Sequence, residues 1–261
     1  MKHRLILVIP IFFILISCSV ETNLHSDKEM VIKGASPALS YEIESSSYSK
    51  NNISISYPKL VNLKNDTKEK EINELIQAEA IRINDFHSLD NTSLEVDYQI
   101  TYKSDEFLSI QYSGSALSKG AAYPLNMFYT TNIDLDKEIK VKLSDLMKID
   151  KALVQALKNG IYKSYDDNLN LQDEGVLKEI WSGIKDEDLL GDLKYSDKMD
   201  ASNNSGIFSY LTPDSLGISL SVPHALGDHL EMEIDYGELL YLGDMLEETI
   251  DLLIQVPNST S

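Results

Sequence analysis

The stretch from Leu94 to Leu143 limits the choice of fold more than any other part of the chain. Leu94, Val96, Tyr98, Ile100 and Tyr102 alternate with Glu95, Asp97, Gln99 and Thr101. That is the period of a strand with one buried and one wet face. Ser104-Asp105-Glu106 reads as a turn, after which Leu108, Ile110 and Tyr112 alternate with Ser109 and Gln111. Two further runs, Phe128 to Leu135 and Ile139 to Leu143, flank Asp136-Lys137-Glu138. The pattern predicts a meander of about four antiparallel strands with one apolar face. An apolar face needs a cover, and two helices offer it. The first runs from about Asp66 to Phe86, with Ile72, Leu75, Ile76 and Ile83 at helical spacing. The second runs from about Lys148 to Tyr165, with Leu153, Leu157, Ile161 and Tyr165 in an i, i+4 stripe.

The rest of the chain follows the same logic. Ala38 to Ser47 and Ile53 to Tyr57 read as strands around the turn cluster Ser49 to Asn52, and Pro58 closes the second. The acidic segment Asp166 to Asp200 suggests one or two short helices. A hairpin over Ile207 to Val222, a strand from Leu230 to Ile234 and a helix from Leu239 to Ile254 complete the order. Strands and helices do not alternate as βαβ units. The expected class is therefore α+β, an antiparallel sheet with helices on one face in a two-layer sandwich.

The N-terminus carries an address. Lys2, His3 and Arg4 precede an apolar run from Leu5 to Ile16, which contains Pro10. Those 12 residues are too short to span about 30 Å of hydrocarbon as a helix and have the layout of a secretory signal. Leu15-Ile16-Ser17-Cys18 resembles the bacterial lipoprotein box, and Cys18 is the only cysteine. The resemblance implies lipid attachment at Cys18, and two or more acyl chains anchor stably. Residues 1–17 are then the signal peptide and residues 18–36 a polar tether. The expected localisation is extracytoplasmic, on the cell membrane or, in an organism with two membranes, on the outer one.

Charge narrows the partners. The formal net charge is −19 at pH 7. Without residues 1–17, 21 basic residues face 42 acidic ones, giving −21. Such a surface repels nucleic acid and anionic lipid and suits a basic partner.

Catalytic signatures are sparse. Gly114-Ser115-Ala116 at a strand end is no nucleophile elbow, and Ser47 to Lys50 and Ser182 to Lys185 lack the companions of an S-x-x-K enzyme. Two constellations remain. Asp134, Asp136, Glu138 and Asp145 loosely mimic a calcium loop, but Ile139 stands where that loop needs glycine. His224, Asp228 and His229 offer two imidazoles and a carboxylate that can bind zinc, or are solvated loop residues. Tyr123, Tyr129, Tyr162 and Tyr165 can stack on sugars or fill a partner's pocket, or belong to the core. No cofactor is expected.

Three further segments carry a family resemblance: Ala121-Ala122-Tyr123-Pro124, Asn132-Ile133-Asp134-Leu135 and Val141 to Leu146. They resemble the paired DUF4163 and DUF3298 (RsiV-type) domains of bacterial envelopes. Tyr41 to Pro58 and Val96 to Tyr112 look like the first half, Leu216 to Val222 and Glu231 to Leu239 like the close of the second. The implied halves are residues 37–125 and 126–256, packed as one unit. The family occurs as a lone lipoprotein domain, beside a peptidoglycan deacetylase, or as the outer part of anti-sigma factors that sense lysozyme. The deacetylase motifs are absent, and only four residues precede the apolar run, so neither of the last two roles is expected. The expected function is a lipid-anchored binding or sensory module acting on a protein, basic and lysozyme-like, or on cell-wall glycan such as peptidoglycan. The alternatives are a metal-dependent hydrolase at His224, Asp228 and His229, or a purely structural envelope lipoprotein.

Overall fold

The structure is a computed structural model that describes residues 31–32, 39–86, 91–163, 171, 174–199, 206–242, 249 and 254–255. Its strands are β1 (Val31–Ile32), β2 (Glu42–Lys50), β3 (Ile53–Val61), β4 (Thr92–Lys103), β5 (Phe107–Ser118), β6 (Leu125–Asp134), β7 (Ile139–Val141), β8 (Tyr162–Lys163), β9 (Ile207–Leu211), β10 (Ser215–Ser221), β11 (His229–Asp235) and β12 (Ile254–Gln255). Its helices are α1 (Asp66–Ile81), α2 (Leu143–Leu146), α3 (Lys151–Asn159), α4 (Glu174–Ser182), α5 (Asp186–Leu193) and α6 (Tyr236–Leu242). The class is α+β, with antiparallel-rich sheets. The first sheet has the order β2-β3-β4-β5-β6-β7 and the second β8-β11-β10-β9, while β1 pairs with β12.

The expected meander is β4 to β7, paired antiparallel throughout. One neighbouring pair departs from the antiparallel pattern. β3 and β4 run parallel over Ile53 to Ile55, joined by α1 as a crossover. β3 also continues through Pro58 to Val61 instead of stopping there. β4 pairs with β3 only at Ile53 to Ile55, so Pro58 lies beyond the two-sided part of the strand. A missing N–H costs no ladder bond on a free edge.

α1 begins where the sequence places it. Asn65 caps it, its side chain accepting Thr67 N at 3.0 Å and Lys68 N at 3.2 Å. Ile72, Ile76 and Ala80 are fully buried against Ile55, Leu60, Val96, Ile110 and Tyr112 of the first sheet. Tyr129 of β6 donates to Ala80 O near the helix end at 2.7 Å, which gives an orphan C-terminal carbonyl a partner. The buried Glu79 carboxylate takes Arg82 at 2.7 Å and Lys140 of β7 at 2.6 Å.

The second expected lid sits elsewhere. Leu153, Val154 and Leu157 of α3 share a core with Ile218, Leu220, Leu230 and Met232 of the second sheet. α3 therefore covers that sheet, and the meander contributes Tyr102 and Phe107 to this core. A bulge at Thr101 brings Tyr102 into it. Ile100 pairs with Ile110 but Tyr102 pairs with Ser109, so one extra residue moves Tyr102 to the opposite face from Ile100. The unbroken alternation of Leu94 to Tyr102 concealed that switch.

The polar face of the meander is not all wet. Ser109, Thr130 and Asn132 are buried beneath β9. Asn132 Nδ2 donates to Ser209 O at 2.9 Å, and Leu211 N donates to Ser109 Oγ at 3.0 Å. Asp197 closes this cluster from behind: its carboxylate accepts Ser209 N, Ser209 Oγ and Leu143 N at 2.6, 2.7 and 2.7 Å. The two sheets thus meet in part through a hydrogen-bonded polar layer.

Candidate functional site

Two loops meet at one end of the sheets. The first, residues 119–124, links β5 to β6. The second, residues 222–228, links β10 to β11. The second loop turns tightly, with Leu226 N donating to Pro223 O at 2.8 Å and Gly227 N to His224 O at 3.0 Å. Gly227 has φ 97 and Asp228 φ 72. Both are left-handed, a conformation that glycine adopts freely and aspartate tolerates better than most residues. That turn swings the Asp228 carboxylate back over the loop. Both oxygens lie 3.0 Å from His224 Nδ1, and one also accepts Asn126 N at 2.8 Å. Asn126 Nδ2 donates to Gly227 O at 3.4 Å. The imidazole is therefore fixed to the loop and the loop to the start of β6.

Tyr123 stands on this platform. It is 71% exposed, and its ring centre lies 6.2 Å from that of His224. Leu117 and Leu125 are exposed beside it in sequence at the same hairpin tip. The other candidate tyrosines separate from it. Tyr129 is buried and stacks on Tyr112 with ring centres 4.7 Å apart. Tyr162 is buried and donates to Leu157 O at 2.9 Å. Burial holds both hydroxyls well above the usual tyrosine range. Tyr165 lies outside the described residues, as does Cys18. The sequence held a signal for part of this division: Tyr129 adjoins the apolar Met127-Phe128, whereas Tyr123 sits between Gly120 and Pro124 in a loop. Two more exposed tyrosines, Tyr195 and Tyr241, were not singled out by any motif.

His224, Asp228 and His229 do not act as one set. His229 opens β11 and turns inward, its ring 4.8 Å from that of Phe128 and tilted by 25°. Its Nε2 lies 3.4 Å from Glu231 Oε1, and its Nδ1 is buried with no partner among the described residues. Asp228 turns to His224 and Asn126, whereas the His229 ring stacks on Phe128, and both residues line the same small pocket. Among the described residues, no three His, Cys, Asp or Glu side chains gather as metal ligands.

The acidic hairpin resolves in the same way. Asp134 Oδ1 accepts Asp136 N at 3.0 Å and Lys137 N at 2.8 Å, an Asx turn. Asp136 pairs with Lys68 of α1 at 3.1 Å. Glu138, at φ 58, faces Glu71, and the shared hydrogen bond raises its carboxyl pKa. Asp145 accepts Lys142 N at 2.9 Å at the start of α2. These carboxylates tie a turn and a helix start and do not converge on a cation.

Behind the platform, where β6 approaches β9 and β10, lies a pocket of about 110 Å³. Phe128 and Phe208 supply apolar wall, and Ser219, Ser221, Asp228 and His229 supply polar wall. Asp228 belongs to both features, lining the pocket and holding His224. Among the described residues, no helix is long and apolar enough to cross a membrane.

No family model matches the chain, and no curated protein is similar to it. Several solved structures are, among them two of the DUF3298 family. One is a DUF3298 family member from Bacteroides fragilis, 13% identical over 80% of this chain and 95% of that one, with a TM-score of 0.49. The other is a DUF3298 family protein from Pseudomonas aeruginosa, 12% identical over 82% of this chain and 97% of that one, with a TM-score of 0.48.

Proposed function

We propose that this chain is a lipid-anchored binding or sensory module on the outer side of a bacterial membrane. The observation that carries the binding role is Tyr123, an exposed aromatic ring set beside His224 by a loop that Asp228 fastens to Asn126. An aromatic side chain with an apolar face and a polar tip gains most from a partner when it is held in place beforehand. Cell-wall glycan suits a ring flanked by an imidazole, an amide and a paired carboxylate. A basic, lysozyme-like protein suits the charge of −21, through steering of encounter more than through affinity.

The address rests on the basic n-region, the apolar run and Cys18. Changing Cys18 to Ser is expected to move the protein from the membrane fraction to the soluble fraction; retention in the membrane would remove the anchor. Binding is tested by co-sedimentation with insoluble peptidoglycan and by titration with lysozyme, each at low and at physiological salt. Tyr123→Ala is expected to weaken the productive interaction at least tenfold, or about 1.4 kcal/mol, within the range for an interface aromatic. Equal binding by the wild type and the variant would remove the platform as the contact surface. A protein interaction that disappears at physiological salt, while glycan binding persists, selects the glycan.

A further inference from the structure

We infer that the pocket behind Tyr123 is a subsite for the acetamido group of an N-acetylated amino sugar, with a ring of the same short oligosaccharide lying on Tyr123. This inference rests on the binding role proposed above and names its ligand.

The chemistry of the walls selects the group. The volume of about 110 Å³ exceeds what one water needs, roughly 10–15 Å³ by the same measure, and is too small for a whole sugar ring with its substituents. No lysine or arginine lines it, so an anion would enter without a permanent counter-charge. The buried Nδ1 of His229, also in the wall, has no partner among the described residues and suits a neutral polar group. A cation would need Asp228, whose oxygens already take the Asn126 N–H and His224. A wholly apolar group would strip water from the Ser219 and Ser221 hydroxyls without replacing its hydrogen bonds. A small neutral group with a methyl at one end and an amide at the other meets both kinds of wall. The methyl packs on Phe128 and Phe208, a serine hydroxyl donates to the carbonyl, and the amide N–H donates to a serine oxygen.

Geometry joins this pocket to the platform. Asp228 lines the pocket and holds the His224 ring, which lies 6.2 Å from that of Tyr123. The shared Asp228 puts both features on one loop, so a short saccharide is the ligand inferred to reach from one to the other. Tyr123 supplies affinity for any pyranose face, and the pocket supplies the preference for the N-acetyl substituent.

The experiment is calorimetric titration of the full chain, in detergent micelles, with tri-N-acetylchitotriose and with cellotriose, which is neutral and carries a hydroxyl in place of each acetamido group. The N-acetylated sugar is expected to bind at least tenfold tighter. Ser221 is exposed at the pocket rim, so Ser221→Leu fills the mouth without entering the core. That variant is expected to lose the preference and keep the affinity for cellotriose, while Tyr123→Ala weakens both sugars. Equal affinity of the wild type for the two sugars overturns the subsite, as does a preference that survives Ser221→Leu; the binding role then stands on Tyr123 alone. Absence of binding by either sugar also overturns the subsite, whereas the binding role falls only if sedimentation and lysozyme titration fail as well.

Discussion

Replacing Asp197 with alanine is expected to destabilise the protein by about 3–5 kcal/mol, the largest effect of any single polar side chain described above. The side chain is only 1% exposed and its backbone is left-handed, at φ 59. Its carboxylate is the acceptor for two buried backbone N–H groups, Leu143 N and Ser209 N, and for the Ser209 hydroxyl. Alanine leaves all three donors buried and unmatched, each at a cost of about 1–3 kcal/mol. Ser209 O also accepts from Thr130 and Asn132, so the loss spreads into the layer between the sheets. Urea unfolding measures it: the midpoint falls, and an unchanged slope shows that stability and not compactness has changed. A loss below about 1 kcal/mol would mean that other groups replace the carboxylate.

The same residue gives stability a pH dependence. Burial pushes the Asp197 carboxyl above the ordinary carboxylate range, and the Ser209 and Leu143 donors oppose that only in part. The folded state then holds a proton that the unfolded state has released, between the unfolded value near 3.9 and the raised folded value. Stability from this group is full below the unfolded value and declines as pH rises through that window. Asparagine cannot ionise, so Asp197→Asn is expected to remove this decline from a plot of unfolding free energy against pH. It keeps one acceptor oxygen, and its loss at low pH should be nearer 1–3 kcal/mol. A plot with the same slope in the variant would assign the decline to another carboxyl.

The second large effect is expected at Gly114. It lies within β5 opposite Val96 of β4. A Cβ there would stand 2.0 Å from Glu95 O and 2.7 Å from Val96 Cα. Both are backbone atoms of a paired strand, so no side chain can rotate away and the strands must separate. Gly114→Ala is expected to cost about 3 kcal/mol, the upper part of the range for overpacking, and Gly114→Val more. Gly120 provides the contrast. Nothing lies within 4 Å of its Cβ position, and only its φ of +88 opposes substitution, which predicts about 1 kcal/mol for Gly120→Ala. If Gly114→Ala costs no more than Gly120→Ala in the same urea experiment, close strand approach is not what glycine provides at this position.

Much of the fold is legible in the sequence. The alternation from Leu94 onward gives β4 and β5, the Ile72–Ile76 spacing gives α1, and Ile207 to Ile234 gives the hairpin and strand of the second sheet. These patterns report burial over a few residues, and burial periodicity is set by local backbone geometry. The site was legible only in pieces. Tyr123 stood out as a loop aromatic and His224 with Asp228 as a loop pair, but nothing in the spacing joins residues 101 positions apart. The Asx turn at Asp134 and the inward turn of His229 follow from hydrogen bonds and backbone angles that a motif does not encode.

What the sequence determined by itself is therefore which runs are apolar on one face, where α1 starts, and the signal-like pattern before Cys18. What only the tertiary structure decided is which surfaces those faces meet. Ser109, Thr130, Asn132 and Asp197 read as surface residues because a polar side chain has the same pattern whether it faces water or a matched buried partner. One extra residue at Thr101 sends Tyr102 into the other core, and α3 follows the second sheet instead of the meander. The return of Asp228 to Asn126 is what brings Tyr123 and His224 to one place. Each of these outcomes depends on contacts between segments far apart in the chain, and a local pattern cannot specify them.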